Sequence, residues 1–473
     1  MVFSSIIFLV WFLPIFLLLY KLADRRYKNG LLLFGSIFFY AWGAPMFIFV
    51  LLGTSFLDFQ FVAAMYRAER ITAKRGWLAA SLFLNLGLLA YFKYCNFFLE
   101  NLSAVLQSLG LQTLSWTTVA LPLGISFFVF ESLTYVIDVY RGIHPPLKRF
   151  WDYQMYILYF PKLIAGPIVR YHQIADQIEN RAESNELFLT GFYRLVIGLG
   201  KKVLIANKIG VMIAPYFAED PSKLTAGQAW IGVIGFMMQI YFDFSGYSDM
   251  ALGLSRMFGF RLPENFNNPF TAASITEFWQ RWHISLSTWF QIYLFTPLAL
   301  QWRSLRRLSV VLAIAVTFLS SGLWHGASWN FVLWGAFHGL LLILDRLFLF
   351  RVLQRLGRLT GLIFVWLAVT LSFVIFKIDD LPKAFRYYGT MFTGGHGIQF
   401  TPTLELWIIF GCAIGLSLFA ALPILKRVQD KLYAEQQGWL GHLLLFPVCV
   451  LVFIFALSTL NWLPYNPFLY FRF

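Results

Sequence analysis

Runs of apolar residues long enough to cross a membrane recur along almost the whole chain. A helix needs about 20 such residues to cover roughly 30 Å of hydrocarbon. They fall at residues 2–20, 30–45, 46–66, 77–98, 117–140, 225–242, 308–323, 327–344, 360–377, 404–423 and 441–463. Segments 150–169, 185–207 and 284–300 are less uniform, and Pro161, Gly166 and Pro167 make the first of them a re-entrant segment rather than a crossing. The pattern predicts an all-α, polytopic integral membrane protein, a single membrane-embedded domain over 1–473. It would have about 11 transmembrane helices, with re-entrant or interfacial helices around a central tunnel.

Composition agrees. Of 473 residues, 59% are hydrophobic and 13% charged, against about 25% charged in a soluble domain. Disorder, collagen-like repeats and a disulfide scaffold are excluded. Cys95, Cys412 and Cys449 are far apart with no CxxC spacing, which speaks against a cysteine metal site. The first run lacks a basic flank and a small-residue cleavage site, so it reads as a retained span.

The net charge of +14 would suggest nucleic acid in a soluble protein, but here it lies in short segments between apolar runs, as the positive-inside rule expects. Lys21 to Lys28, Arg67 to Arg75, Arg141 to Arg149 and Lys426 to Lys431 are therefore placed in the cytoplasm. The loop around 100–115, without Lys or Arg, faces outward, as does the tail 466–473.

Polar groups inside hydrocarbon cost about 2.5–3.5 kcal/mol each on insertion scales, so their positions are informative. From Leu308 to Leu344 there is no charged residue in 37. As one helix these would span about 55 Å, too long for a single crossing. The run must break, and Ser320-Ser-Gly-Leu-Trp-His-Gly-Ala-Ser-Trp329 shows where. Gly322 and Gly326 ease the bend and leave His325 at the junction. Upstream, Arg281, His283, Ser285 and Ser287 sit among Trp279, Trp282 and Trp289. Asp243 and Asp249 lie in aromatic surroundings, and Asn265 in a Pro/Asn-rich stretch. Residues 240–340 thus collect most buried-polar candidates, in the manner of a lined cavity or tunnel. His338, with His144, His172, His396 and His442, reads as a structural donor to neighbouring groups. The residues alone leave open an enzyme, a transporter or polysaccharide-export channel, and a scaffold. No phosphate loop, HExxH or GxSxG pattern is present.

Several stretches together resemble the membrane-bound O-acyltransferase (MBOAT) family, above all its bacterial alginate O-acetylation branch. They are Tyr91-Phe-Lys-Tyr94, Leu121-Pro-Leu-Gly-Ile-Ser-Phe127, Tyr135-Val-Ile-Asp-Val-Tyr-Arg141, Leu163-Ile-Ala-Gly-Pro167, Glu264-Asn-Phe-Asn267, Thr276-Glu-Phe-Trp279, Arg281 to Trp289, Gly322-Leu-Trp-His-Gly-Ala327 and Pro467-Phe-Leu-Tyr-Phe-Arg-Phe473. One departure follows Trp289. Phe290-Gln-Ile-Tyr293 stands where related proteins carry an Arg-Asp pair, and the double glycine further on is absent.

The resemblance implies an active-site histidine at His325 and a second recurrent histidine at His283. It implies an acyl thioester arriving from the cytoplasm and a hydroxyl acceptor reached from the other face, in the bacterial inner membrane. On this reading His325 is the general base, acetyl-CoA the donor and an extracytoplasmic polysaccharide the acceptor. Asn265, Asp243, Trp324 and Arg281 are candidate substrate contacts. No metal and no permanently bound cofactor are expected. Tyr470, in the aromatic tail, would relay the acyl group to an SGNH-type acetyltransferase outside. An MBOAT enzyme acting on lipid or protein is the alternative within the family.

Overall fold

A computed structural model describes residues 1–462 together with Phe468 and Leu469. Every regular element among the described residues is helical. The chain divides into two compact units: Met1–Glu183 with Phe258–Leu262, and Ser184–Met257 with Pro263–Phe473. Among the described residues seven helices are long and apolar enough to cross a bilayer: Phe47–Arg67, Ile71–Ser108, Arg307–His325, Trp329–Leu356, Arg358–Lys377, Leu404–Ala421 and Trp439–Trp462. The protein is a multi-pass membrane protein.

Elsewhere the apolar runs and the helices differ for local reasons. The 117–140 run is helical only over Ile125–Tyr140. Gly124 before it holds φ at 73°, where a Cβ would lie 2.9 Å from the Leu163 carbonyl, so the chain turns sharply there instead of winding. The 225–242 run continues to give a 32-residue helix, Ala226–Met257. The 150–169 segment is broken: Phe150–Leu158 ends at Tyr159, a single helical turn spans Phe160–Leu163, and the chain is non-helical from Ile164 to Arg170.

The first unit corrects one expectation. Buried charge does not gather mainly in 240–340. Asp58, Glu131, Asp138 and Lys162 are all buried in this unit. Glu131 pairs with Lys162. Asp58 accepts from Ser81 and, at 3.0 Å, from Tyr153. Asp138 meets His172 Nδ1 at 2.8 Å. Each carboxylate has a partner distant in sequence, as burial in low dielectric demands.

The second unit is built on two antiparallel helices, Asn185–Gly200 and Ala226–Met257. Gly191 and Gly198, two turns apart on one, face Gly253 and Gly246 on the other. A Cβ on Gly198 would stand 2.4 Å from the Gly246 carbonyl, and one on Gly253 2.5 Å from that of Gly191. Small residues at this spacing let backbones touch, which is how helices pack where the hydrophobic effect gives no preference for protein over lipid. The contact sets Arg194, Lys201 and Lys202 against Asp243 and Asp249.

Gly198→Leu should therefore push the two helices apart, because the obstructing atom is backbone and cannot rotate away. Overpacking of this kind costs about 1–3 kcal/mol. In detergent the variant is expected to show a lower melting temperature and an aggregated size-exclusion profile; a wild-type profile would mean the contact is dispensable.

Candidate active site

The break in the long apolar run falls at the histidine. Helix Arg307–His325 ends there, Gly326 is extended, and the chain re-enters helix at Trp329. A Cβ on Gly322 would lie 2.3 Å from the Phe331 carbonyl, and one on Gly335 2.3 Å from that of Phe318. The two helices therefore touch along their backbones, and His325 is held in the turn, 4% exposed. Its ring lies edge-on to Trp324 at 5.0 Å, Trp334 at 4.8 Å and Phe376 at 5.4 Å between centroids.

His283 is fully buried and adopts φ 46°, ψ 53°, between helices Ile275–Arg281 and Ile284–Phe290. A left-handed conformation at a non-glycine residue persists only where the surroundings fix it, and here Asn265 fixes it. Its carbonyl accepts from the Ile284 amide at 2.9 Å. Its side-chain Oδ1 lies 3.1 Å from His283 Nδ1 and accepts from the Ser285 amide and hydroxyl at 3.3 and 2.9 Å. The Asn265 amide group donates to Ser248 at 3.1 Å, so its oxygen faces the imidazole and Nδ1 carries the proton. Phe244 covers the ring at 4.7 Å. Trp324 bridges the two histidines, 5.8 Å from His283 and 5.0 Å from His325.

Asn265 also lines a polar cavity of about 320 Å³ with Lys201, Ser248, Asp249, Gln429 and Tyr433. Arg194 donates to Asp249 at 2.9 Å and also to Glu264. Lys201 meets Asp249 at 2.6 Å, and Lys426 pairs with Asp430 at 2.9 Å. Each cation of this wall is matched by a carboxylate. Burial, and then the Asp249 charge, push the Tyr433 phenol upward. It therefore stays protonated and donates to Asp249 at 3.3 Å. The wall includes helix Pro423–Leu432, within which the basic Lys426–Lys431 segment falls. A second, much smaller cavity of about 10 Å³ is walled by His325, His338, Trp279, Trp334, Phe373 and Phe376, among others.

Asp243 is placed away from both cavities. It pairs with buried Lys202 and accepts from the Leu469 amide at 2.8 Å. Phe468, 2% exposed, packs on Tyr247 at 4.6 Å and on Phe244, the ring over His283. The described end of the aromatic tail thus enters the core beside His283; Tyr470 lies outside the described residues. Arg281 binds Glu277 at 2.7 Å and the Asn267 carbonyl at 3.2 Å, clasping the Asn265 loop. His338 departs from the structural-donor expectation: His144, His172 and His442 meet carbonyl or carboxylate partners, but His338 Nδ1 meets none. Arg194, Lys201 and Tyr433 were missed. They stand 48–184 residues from Asp249, and only the close glycine contact brings the first two to it. Among the described residues no cluster of three His, Cys, Asp or Glu could hold a metal.

The family model for MBOAT, the membrane-bound O-acyltransferase family, matches residues 84–378. Over the full length of both proteins the chain is 38% identical to a Pseudomonas putida protein named "Probable alginate O-acetylase AlgI". It is 32% identical to a peptidoglycan O-acetyltransferase of Helicobacter pylori, over 98% of this chain and 90% of that one. Over 46% of this chain and 58% of the other, it is 31% identical to a teichoic acid D-alanyltransferase of Bacillus subtilis.

Asp243→Asn should destabilise the core that holds the tail, since it removes the carboxylate facing buried Lys202. Breaking a buried pair costs about 3–5 kcal/mol. The melting temperature is expected to fall, and the double variant Asp243→Asn, Lys202→Met to recover part of the loss. A single variant as stable as wild type would show that the pair is not needed.

Proposed function

The chain belongs to the membrane-bound O-acyltransferase family and is an acyltransferase, and from that premise we propose that it moves an acetyl group from cytoplasmic acetyl-CoA to an extracytoplasmic polysaccharide. Alginate or a polymer of that kind is the acceptor, and the bacterial inner membrane the setting. The observation that carries this reading is the line of contacts from the polar cavity through Asn265 and His283, across Trp324, to His325 at the helix break.

His325 is the general base. It takes the proton of the acceptor hydroxyl as the oxygen attacks the thioester carbonyl carbon. The new C–O bond pushes the carbonyl electrons onto oxygen. Collapse of that intermediate breaks the C–S bond, and the departing sulfur takes the proton back from the imidazolium. His283, held by Asn265, orients the donor. The polar cavity, with its charges matched in pairs and its asparagine and glutamine side chains, suits the amide-bearing arm of coenzyme A better than its phosphates.

The tail supplies the acceptor. Anchored through Leu469 to Asp243 and through Phe468 beside Phe244, it delivers Tyr470, whose phenol takes the acetyl group as an ester. An SGNH-type acetyltransferase outside then receives it, in a two-step nucleophilic relay.

His325→Ala should lower release of coenzyme A from labelled acetyl-CoA by at least about 10²-fold, with the protein still in the membrane. Turnover at the wild-type rate would remove His325 from the chemistry. Tyr470→Phe should abolish polymer acetylation in cells; acetylation at the normal level would eliminate the relay.

A further inference from the structure

Among the described residues, three buried polar atoms close to His325 have no hydrogen-bond partner: Nε1 of Trp279, Nε1 of Trp334 and Nδ1 of His338. Their side chains line one cavity, the space of about 10 Å³ that His325 also walls. The rings form a tight cluster, with centroids 4.8 Å apart for His325 and Trp334, 4.7 Å for Trp334 and His338, 5.1 Å for Trp279 and His338, and 5.8 Å for Trp279 and Trp334. Most of the remaining wall is hydrocarbon, including Phe278, Phe373 and Phe376. Its one hydroxyl, Ser372, is committed to the Val369 carbonyl at 2.7 Å.

Buried donors without partners are rare because each gives up its hydration for nothing. Packing does not explain these, since phenylalanine would fill much of the volume with no N–H to desolvate. Indole can only donate, so what fits here is a single acceptor atom, in a space that holds about one water or one oxygen.

We propose that the Trp279 and Trp334 indole N–H groups form the oxyanion hole of the acyl transfer, with His338 as the third polar group of its wall. The assignment rests on the reading of His325 as base. As the acceptor oxygen bonds to the thioester carbon and its proton passes to His325, the carbonyl electron pair moves onto the oxygen that these donors face. When the C–S bond breaks, the pair returns to the carbonyl and the contact weakens. Donors of this kind, fixed in a water-excluded site, act more strongly on the intermediate than on the substrate.

The test replaces each tryptophan with 3-benzothienylalanine, which keeps the ring shape and puts sulfur in place of N–H. In the purified full chain with acetyl-CoA, each isostere should lower kcat about 10²–10³-fold, the usual effect of losing one oxyanion donor, with KM and melting temperature unchanged. A wild-type kcat in both would assign the cavity to a structural water and overturn the proposal. So would a loss of activity matched by a loss of folded protein. His325→Ala is measured alongside. If it is inactive while the isosteres are fully active, the oxyanion assignment alone fails; if it turns over normally, the base assignment fails.

Discussion

A charge or amide taken out of water must find its partner inside the protein, and in this molecule that demand governs both units. The carboxylates of Asp58, Glu131 and Asp138 are each met by a side chain distant in sequence. In the second unit Asp243 and Asp249 are met by Lys202, Lys201 and Arg194. Removing one partner leaves the other stranded in low dielectric, so breaking such a pair costs more than the intact pair contributes. The glycine faces of Asn185–Gly200 and Ala226–Met257 are what make the pairing possible, because side chains on more widely spaced backbones would not meet.

The two histidines are held by different means. His325 depends on a helix end and on backbone contact between Gly322 and Gly335. His283 depends on a strained left-handed residue and on Asn265, which holds both its backbone neighbour and its ring. Aromatic rings surround the first imidazole and a hydrogen bond to Asn265 orients the second, with Trp324 against both. Asp243, named among the candidate substrate contacts, also accepts from the Leu469 amide and so ties the tail segment to the core.

Much of this is legible in the sequence. The charge-free run from Leu308 to Leu344 is too long for one crossing, and its glycines mark the bend at His325. Pro161 and Gly166 likewise mark a segment that breaks. What stayed hidden depends on tertiary approach. Lys201 and Arg194 sit in an apolar helix with nothing local to show that Asp249 neutralises them. Glu131 and Lys162 lie inside the apolar runs 117–140 and 150–169, with nothing local to show that they pair. His338 looks like any membrane histidine; the missing partner at Nδ1 is visible only once Trp279 and Trp334 close around it. The late start of the helix at Ile125 follows from the turn at Gly124.

The matched glycines have a mechanical corollary. A slide of one residue would carry side-chain carbons of the flanking positions into the opposing main chain, and would also pull Asp249 out of reach of Lys201 and Arg194. Asn185–Gly200 and Ala226–Met257 are thereby locked in register and act as one stiff strut. The rest of the polar cavity's wall carries no such lock: it includes Tyr433 and the short helix Pro423–Leu432, whose Gln429 accepts from Asn268 at 2.9 Å.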